Sequence, residues 1–187
     1  MERDRDITDT ELESPPPPML MEAPPPRKAG AAPEKLTPWL DRWKQPKREQ
    51  LVALLSDQHR KPVEEFLRLA DAMPRVQPTL IWYGLSWHWT IQYNVMDESG
   101  KPLDLLCYMV PNPAGPLVCV PLTDEMVNRL PMRRLHKFIR TGIRAAKRAV
   151  ALQWGCWNVV TSADVEPLAD LLKRKYKMVI EPAKKEQ

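Results

Sequence analysis

The sequence predicts an α+β fold: an antiparallel sheet of about five strands packed by helices, preceded by a disordered proline-rich arm. Three observations carry that reading. Residues Trp87 to Val95 alternate, with Trp87, Trp89, Ile91, Tyr93 and Val95 on one face and His88, Thr90, Gln92 and Asn94 on the other, the period of two that marks a strand of a one-sided sheet. Stretches with apolar spacings of three and four lie before and after it, as amphipathic helices require. The first 35 residues are charged, then rich in proline, with almost nothing apolar to bury.

That last property sets the domain organisation. Residues 1–35 form an acidic and proline-rich arm. Its runs Pro15–Pro18 and Pro24–Pro26 favour polyproline II, and it cannot offset the entropy of ordering. Such an arm serves as a spacer or as a ligand for a proline-recognition module on a protein partner. Residues 36–46 form a short docking segment. Thr37 can cap a helical turn, Pro38 suits its first position, and Trp39, Leu40 and Trp43 share a face that can dock on the domain. Residues 47–180 form a single α+β domain, long enough for one core.

Within the domain, Leu51, Val52, Leu54 and Leu55 fall in a first helix. Pro62 starts a second, with Val63, Phe66, Leu67, Ala70 and Met73 inward. Pro74 and Pro78 end the helical part. The first strand is expected over Thr79 to Leu85, with Gly84 permitting a bend, and the second begins near Trp87. The cluster Asp97-Glu98-Ser99-Gly100-Lys101-Pro102 is a hairpin turn. Leu103 to Val110, apolar on both faces apart from Asp104, reads as a central strand. Leu117 to Val120 makes a fourth. Thr123 caps a small helix with Asp124 and Glu125 in its first turn, where acids are favoured. The longest helix is expected from Met132 to about Ala151, with Leu135, Phe138, Ile139, Ile143, Ala146 and Val150 buried. Trp154 to Val160 is a fifth strand. Thr161 and Asp164 resemble a capping box before a final helix packed through Val165, Leu168, Leu171 and Leu172. Lys173, Arg174 and Lys175 sit in its last turns, where cations are favoured.

Composition narrows the function classes. The 187 residues carry a net charge of +4. Residues 1–14 hold six acids against two arginines, so the remainder is about +8, a surplus that suits a polyanionic partner. No apolar run approaches the roughly 18 to 20 residues of a membrane helix, so no membrane partner is expected. The acidic opening Met1–Asp6 lacks the apolar core of a secretory signal. Cys107, Cys119 and Cys156 are scattered through apolar segments with no C-x-x-C spacing; they read as free, buried thiols in a reducing cytoplasm. No G-x-S-x-G, H-E-x-x-H, P-loop or G-x-G-x-x-G occurs, so no catalytic residues, metal ligands or cofactor are assigned.

Two binding candidates remain. From Arg129 to Arg148 there are eight Lys/Arg and no acid. On a helix, Arg133, Lys137, Arg140, Arg144 and Lys147 would line one side with Arg148 adjacent, a stripe that can neutralise several phosphates. His88, Thr90 and Gln92, with Asn94, would form a polar row on the outer sheet face beside aromatics, a composition suited to a ligand groove.

The first-strand residues Ile81-Trp82-Tyr83-Gly84-Leu85-Ser86 resemble the Ile-x-Tyr/Trp-Gly-x-Pro pattern of the YdhG-like small domains, some of them described as bacterial frataxin-like proteins; Ser86 departs from the proline. The closing helix with Leu168, Leu171, Leu172 and Arg174 is similar to that family's C-terminal helix. The strands Trp89-Thr90-Ile91-Gln92-Tyr93 and Leu105-Leu106-Cys107-Tyr108 look like those of a related group. The resemblance spans at most residues 45–176 and implies an antiparallel sheet with helices on one face. For frataxin-like members it also implies iron handling. That chemistry uses clustered exposed carboxylates, whereas the longest predicted helix is basic, so no iron ligand is carried over. The expected function is therefore a non-catalytic binding domain for an anionic partner, nucleic acid first. The alternatives are a small-molecule or metal-handling domain using the sheet around His88, and a protein–protein adaptor using the arm.

Overall fold

The computed structural model describes residues 36–149 and 151–181; the arm predicted over residues 1–35 lies outside them. The described elements run α1 (Arg48–Ala53), α2 (Asp57–Asp71), β1 (Val76–Trp82), β2 (Trp89–Met96), β3 (Pro102–Val110), β4 (Leu117–Thr123), α3 (Asp124–Arg129), α4 (Lys137–Arg144), β5 (Lys147–Ala149), β6 (Leu152–Asn158) and α5 (Ser162–Ile180). The α+β class is as expected. The sheet has six strands rather than five, all antiparallel, in the order β1-β2-β3-β4-β6-β5. No described helix is long and apolar enough to cross a membrane.

Local chemistry accounts for most boundaries. Asp97 closes the β2–β3 hairpin: its carboxylate accepts from Ser99 Oγ at 2.7 Å and from the Lys101 amide at 2.8 Å, while Gly100 takes φ +80°, a left-handed value that costs glycine little. Thr123 caps α3 by accepting from the Met126 amide at 3.1 Å, and Thr161 and Asp164 form the capping box of α5. Helix α2 starts at Asp57, more than a turn ahead of Pro62. The proline is tolerated because the carbonyl it leaves without a donor belongs to exposed Gln58, where water can serve it. Pro78 lies in β1, an edge strand, where a missing ladder donor is acceptable.

The largest departure concerns the predicted helix over 132–151. Residues 132–135 are turns, α4 covers Lys137–Arg144 only, and Lys147–Ala149 becomes β5, paired with Leu152–Trp154 of β6. A twenty-residue helix would run about 30 Å, longer than the roughly 23 Å of the seven-residue strands it would cover. Breaking it lets α4 press on the sheet and gives β6 a partner. Contact is close: a Cβ on Gly142 would fall inside the Trp157 indole, and Trp157 Nε1 donates to the Phe138 carbonyl at 3.1 Å.

The core lies between the helices and one sheet face, joining Val63, Phe66 and Leu67 of α2 and Leu168, Leu171 and Leu172 of α5 to Ile91, Tyr93, Met109, Val118 and Trp157. Buried Tyr93 donates its hydroxyl to Asp71 at 3.1 Å, and Asp71 accepts two bonds from Arg48, at 3.1 and 2.7 Å. Burial pushes the Tyr93 phenol well above its ordinary range. A second cluster, Trp39, Leu51, Trp89 and Val110, anchors segment 36–46. Trp39 Nε1 donates to the Trp89 carbonyl at 3.2 Å, and Trp89 Nε1 donates to the Asp41 carbonyl at 2.7 Å. Docking is thus carried by Trp39; Trp43, expected beside it, is 82% exposed under the Arg42 guanidinium.

Lys175 also departs from expectation. Instead of an exposed cation in the last turns, it is a buried residue of α5, which continues to Ile180. Its Nζ donates to the carbonyls of Leu105 and Leu106 on β3 and of Pro121 on β4. The β3–β4 register ends at Tyr108↔Cys119, and Pro121 has no amide to extend it, so the ammonium bridges the strands where the ladder stops. Burial pulls this amine down to about 8, against the opposing charge of Asp104.

Replacing Lys175 with Met leaves three carbonyls without a donor and is expected to lower stability by about 2–4 kcal/mol in urea denaturation. Because the folded-state pKa is depressed, folding also carries a cost for burying the charge, which is full below about 8 and disappears as pH rises to about 10.5. Wild-type stability minus that of Lys175→Met should therefore rise between those pH values; a flat difference would refute the assignment.

Candidate nucleic-acid interface

The predicted basic stripe survives as a band rather than a helix face. Arg133 lies in the turn before α4, Lys137, Arg140 and Arg144 lie on α4, and Lys147 and Arg148 lie on β5. Arg140 is half-buried and the other five are exposed. Arg148 is paired with Asp124 at 2.7 Å. Among the described residues, Arg133, Lys137, Arg140, Arg144 and Lys147 have no ion-pair partner within 4 Å.

The alternation on β5 sends its two cations to opposite faces. Arg148 pairs with Gln153 in register, and both reach Asp124 at the start of α3. Lys147 pairs with Trp154, and directly opposed cross-strand residues share a face. Trp154 belongs to a group of aromatic rings that sequence alternation did not assemble. Its ring is nearly parallel to Tyr108, with centroids 6.0 Å apart; Trp87 lies 5.6 Å from Tyr108 and 6.5 Å from Trp154; Tyr83 stacks on Trp87 at 4.7 Å. Tyr83 is 41% exposed, Trp87 and Trp154 are half-buried, and Tyr108 forms the floor. This array sits on the sheet face opposite Tyr93 and Met109, because Tyr108 is in register with Gln92 and with Cys119.

The array exists because of a turn. The loop Tyr83–His88 is closed by bonds from the Tyr83 amide to the His88 carbonyl at 2.8 Å and from the His88 amide to the Gly84 carbonyl at 2.9 Å. Gly84 and His88 both take positive φ, +84° and +47°. A left-handed residue interrupts the alternation, so Trp87 and Trp89 fall on opposite faces, contrary to expectation. The polar row changes with them. His88 precedes β2, and its ring lies 4.3 Å from Trp39 and 5.4 Å from Trp82, away from Gln92. Burial lowers its pKa. Thr90 is fully buried and donates to the Trp87 carbonyl at 3.0 Å. Only Gln92 and Asn94 remain as a polar pair, bonded at 2.9 Å. The structure does not bring His88, Thr90 and Gln92 into one groove.

Two of the cysteines, expected as free thiols, are bonded to each other. Cys119 and Cys156 stand directly opposite on β4 and β6 and form a disulfide; Cys156 is exposed. Their separation of 37 positions hid a register pairing. Cys107 alone is a free thiol, buried on the core side, where desolvation pushes it up to about 12, unsuited to nucleophilic use. Among the described residues no group of three or more His, Cys, Asp or Glu converges as a metal site would require. A recess of about 650 Å³ lies between α1 and α2. On its rim Arg48 is paired with Asp71, and Arg60 with Asp57 and the Leu55 carbonyl.

No family model matches this sequence, and no curated protein matches it.

The ring separations are short enough for coupled indole transitions. The far-ultraviolet circular dichroism should show an aromatic exciton feature that Trp87→Phe and Trp154→Phe each diminish while thermal unfolding stays cooperative. Identical spectra for all three proteins would refute the array.

Proposed function

We propose that this protein is a non-catalytic binding domain for a polyanion, with single-stranded nucleic acid as the favoured partner. One observation carries the reading: Lys147 is the register partner of Trp154, so the cationic band passes around the sheet edge onto the aromatic face. Single strands are held by that combination, cations for the phosphates and rings for the bases, with little demand on sequence. A duplex keeps its bases stacked and would use the cations alone. Lys137, Arg140 and Arg144 supply phosphate contacts from α4, and Tyr83, Trp87 and Trp154 supply stacking surfaces.

A second reading, a protein–protein adaptor, is favoured by the exposed apolar residues Leu36, Leu40 and Trp43 in segment 36–46. It would use Trp43 and leave the basic band unoccupied.

Fluorescence anisotropy with labelled single-stranded oligonucleotides across a salt series tests the first reading. Reversing Lys137, Arg140 and Arg144 to Glu should weaken binding at least tenfold and reduce the log–log salt slope by about 2, at roughly 0.7 per lost contact. Trp154→Ala should cost about 1–3 kcal/mol for single strands and leave duplex binding nearly unchanged. Equal affinity of the charge-reversed and parent proteins at low salt would overturn the proposal.

A further inference from the structure

Beyond nucleic-acid binding, the open edge of β6 points to a second partner. Strand β6 pairs with β4 along its whole length, from Leu152 to Asn158, but with β5 only over Leu152–Trp154. Past Trp154 the chain that would have continued β5 is turned away into α4. Which backbone groups this exposes follows from the ladder. The Cys119 and Cys156 Cα atoms are 4.2 Å apart, the narrow spacing of a pair that does not exchange hydrogen bonds. Consistently, the Val159 amide donates toward the β4 side, to the Pro116 carbonyl at 2.9 Å. Odd-numbered residues therefore serve β4, and the amides and carbonyls of Cys156 and Asn158 point to the far edge. Among the described residues no partner meets them.

The edge is also walled. A recess of about 590 Å³ runs between it and α4, with Phe138, Gly142 and Trp157 as its apolar part and His136 and Lys137 on its rim. An unpaired strand edge beside a helix is a site for strand addition, in which an extended peptide takes up main-chain bonds and places alternate side chains in the groove.

We propose that the Cys156–Asn158 edge of β6, walled by α4, receives an extended acidic peptide from a partner protein as an added strand. Charge complementarity selects that occupant. Lys137 of α4, on the rim of the recess, is exposed without an ion-pair partner among the described residues, so a carboxylate of the peptide at the recess mouth would meet it. A second copy of this chain would bring two such cationic walls together, and like charges disfavour it.

The test titrates the isotopically labelled full chain with the capped peptide Glu-Val-Glu-Val-Glu-Val. The expected result is the largest amide shifts and slowed hydrogen exchange at Cys156 and Asn158. An added strand uses alternate amides, so N-methylating one alternate set should weaken binding at least tenfold while methylating the other set leaves it. Lys137→Glu should weaken the acidic peptide and strengthen its lysine-for-glutamate counterpart. Equal binding of both methylated sets would mean attraction by charge alone and would overturn the proposal. So would the absence of binding, or concentration-dependent protection of the same two amides without peptide, which would assign the edge to a second copy. Lys137 serves both proposals, so they are separated by the readouts they do not share: Trp154 for oligonucleotide affinity and the Cys156 and Asn158 amides for the peptide.

Discussion

The buried ammonium of Lys175 is the interaction on which this architecture depends. The two halves of the sheet, β1-β2-β3 and β4-β6-β5, meet only through the β3–β4 ladder, and that ladder comprises three register pairs, ending at Tyr108↔Cys119. Beyond it Pro121 offers no amide. Unpaired carbonyls in that position would be buried and costly. Lys175 supplies donors to both strands from α5, so one side chain joins the sheet halves and fixes the helix across them. An ammonium is well suited to the position: it offers three donors on a long apolar stem, on the same face of α5 as buried Leu168 and Leu172.

With the halves joined, the two sheet faces acquire different characters. The inner face is sealed by the helices around Tyr93, Met109, Val118 and Trp157. The opposite face depends on the loop between β1 and β2. Its two left-handed residues reverse the direction of Trp87 relative to Trp89 and bring Tyr83 and Trp87 over Tyr108. The same loop presents the Trp87 carbonyl to Thr90 and its His88 ring to Trp39, which ties segment 36–46 to the strand that follows. Backbone conformation at Gly84 and His88 therefore decides both where the docking segment sits and which rings form the aromatic array.

The other end of the sheet carries the charge. Ending α4 at Arg144 and forming β5 spreads the cations along a turn, a helix and a strand, and passes Lys147 onto the aromatic face. The same break leaves β6 half-paired. A continuous helix would have kept all the cations on its own flank and could not have supplied β5. The chemistry proposed for this protein, phosphate contact beside base stacking and strand addition at the neighbouring edge, has this single chain reversal as its structural origin.

Much of the local structure was legible in the sequence because it depends on neighbouring residues. The Asp97–Gly100 turn, the Thr123 cap, the Thr161–Asp164 capping box and the inward stripes of α2 and α5 all follow from spacings of a few residues. Lys175 was partly legible too: with Leu168 and Leu172 it continues the inner stripe of α5 at spacings of three and four, a signal outweighed by its charge. What the tertiary structure decided depends on distant partners. Residues 147–149 suit a helix by composition and become a strand because β6 lies beside them. Trp87 changes face because His88 takes φ +47°, which no alternation pattern encodes. Cys119 and Cys156 meet because β4 and β6 are in register across 37 positions. The candidate residues of the basic band could be named from the sequence; their union with Tyr83, Trp87, Tyr108 and Trp154 could not, because strand register, rather than separation along the chain, sets those distances.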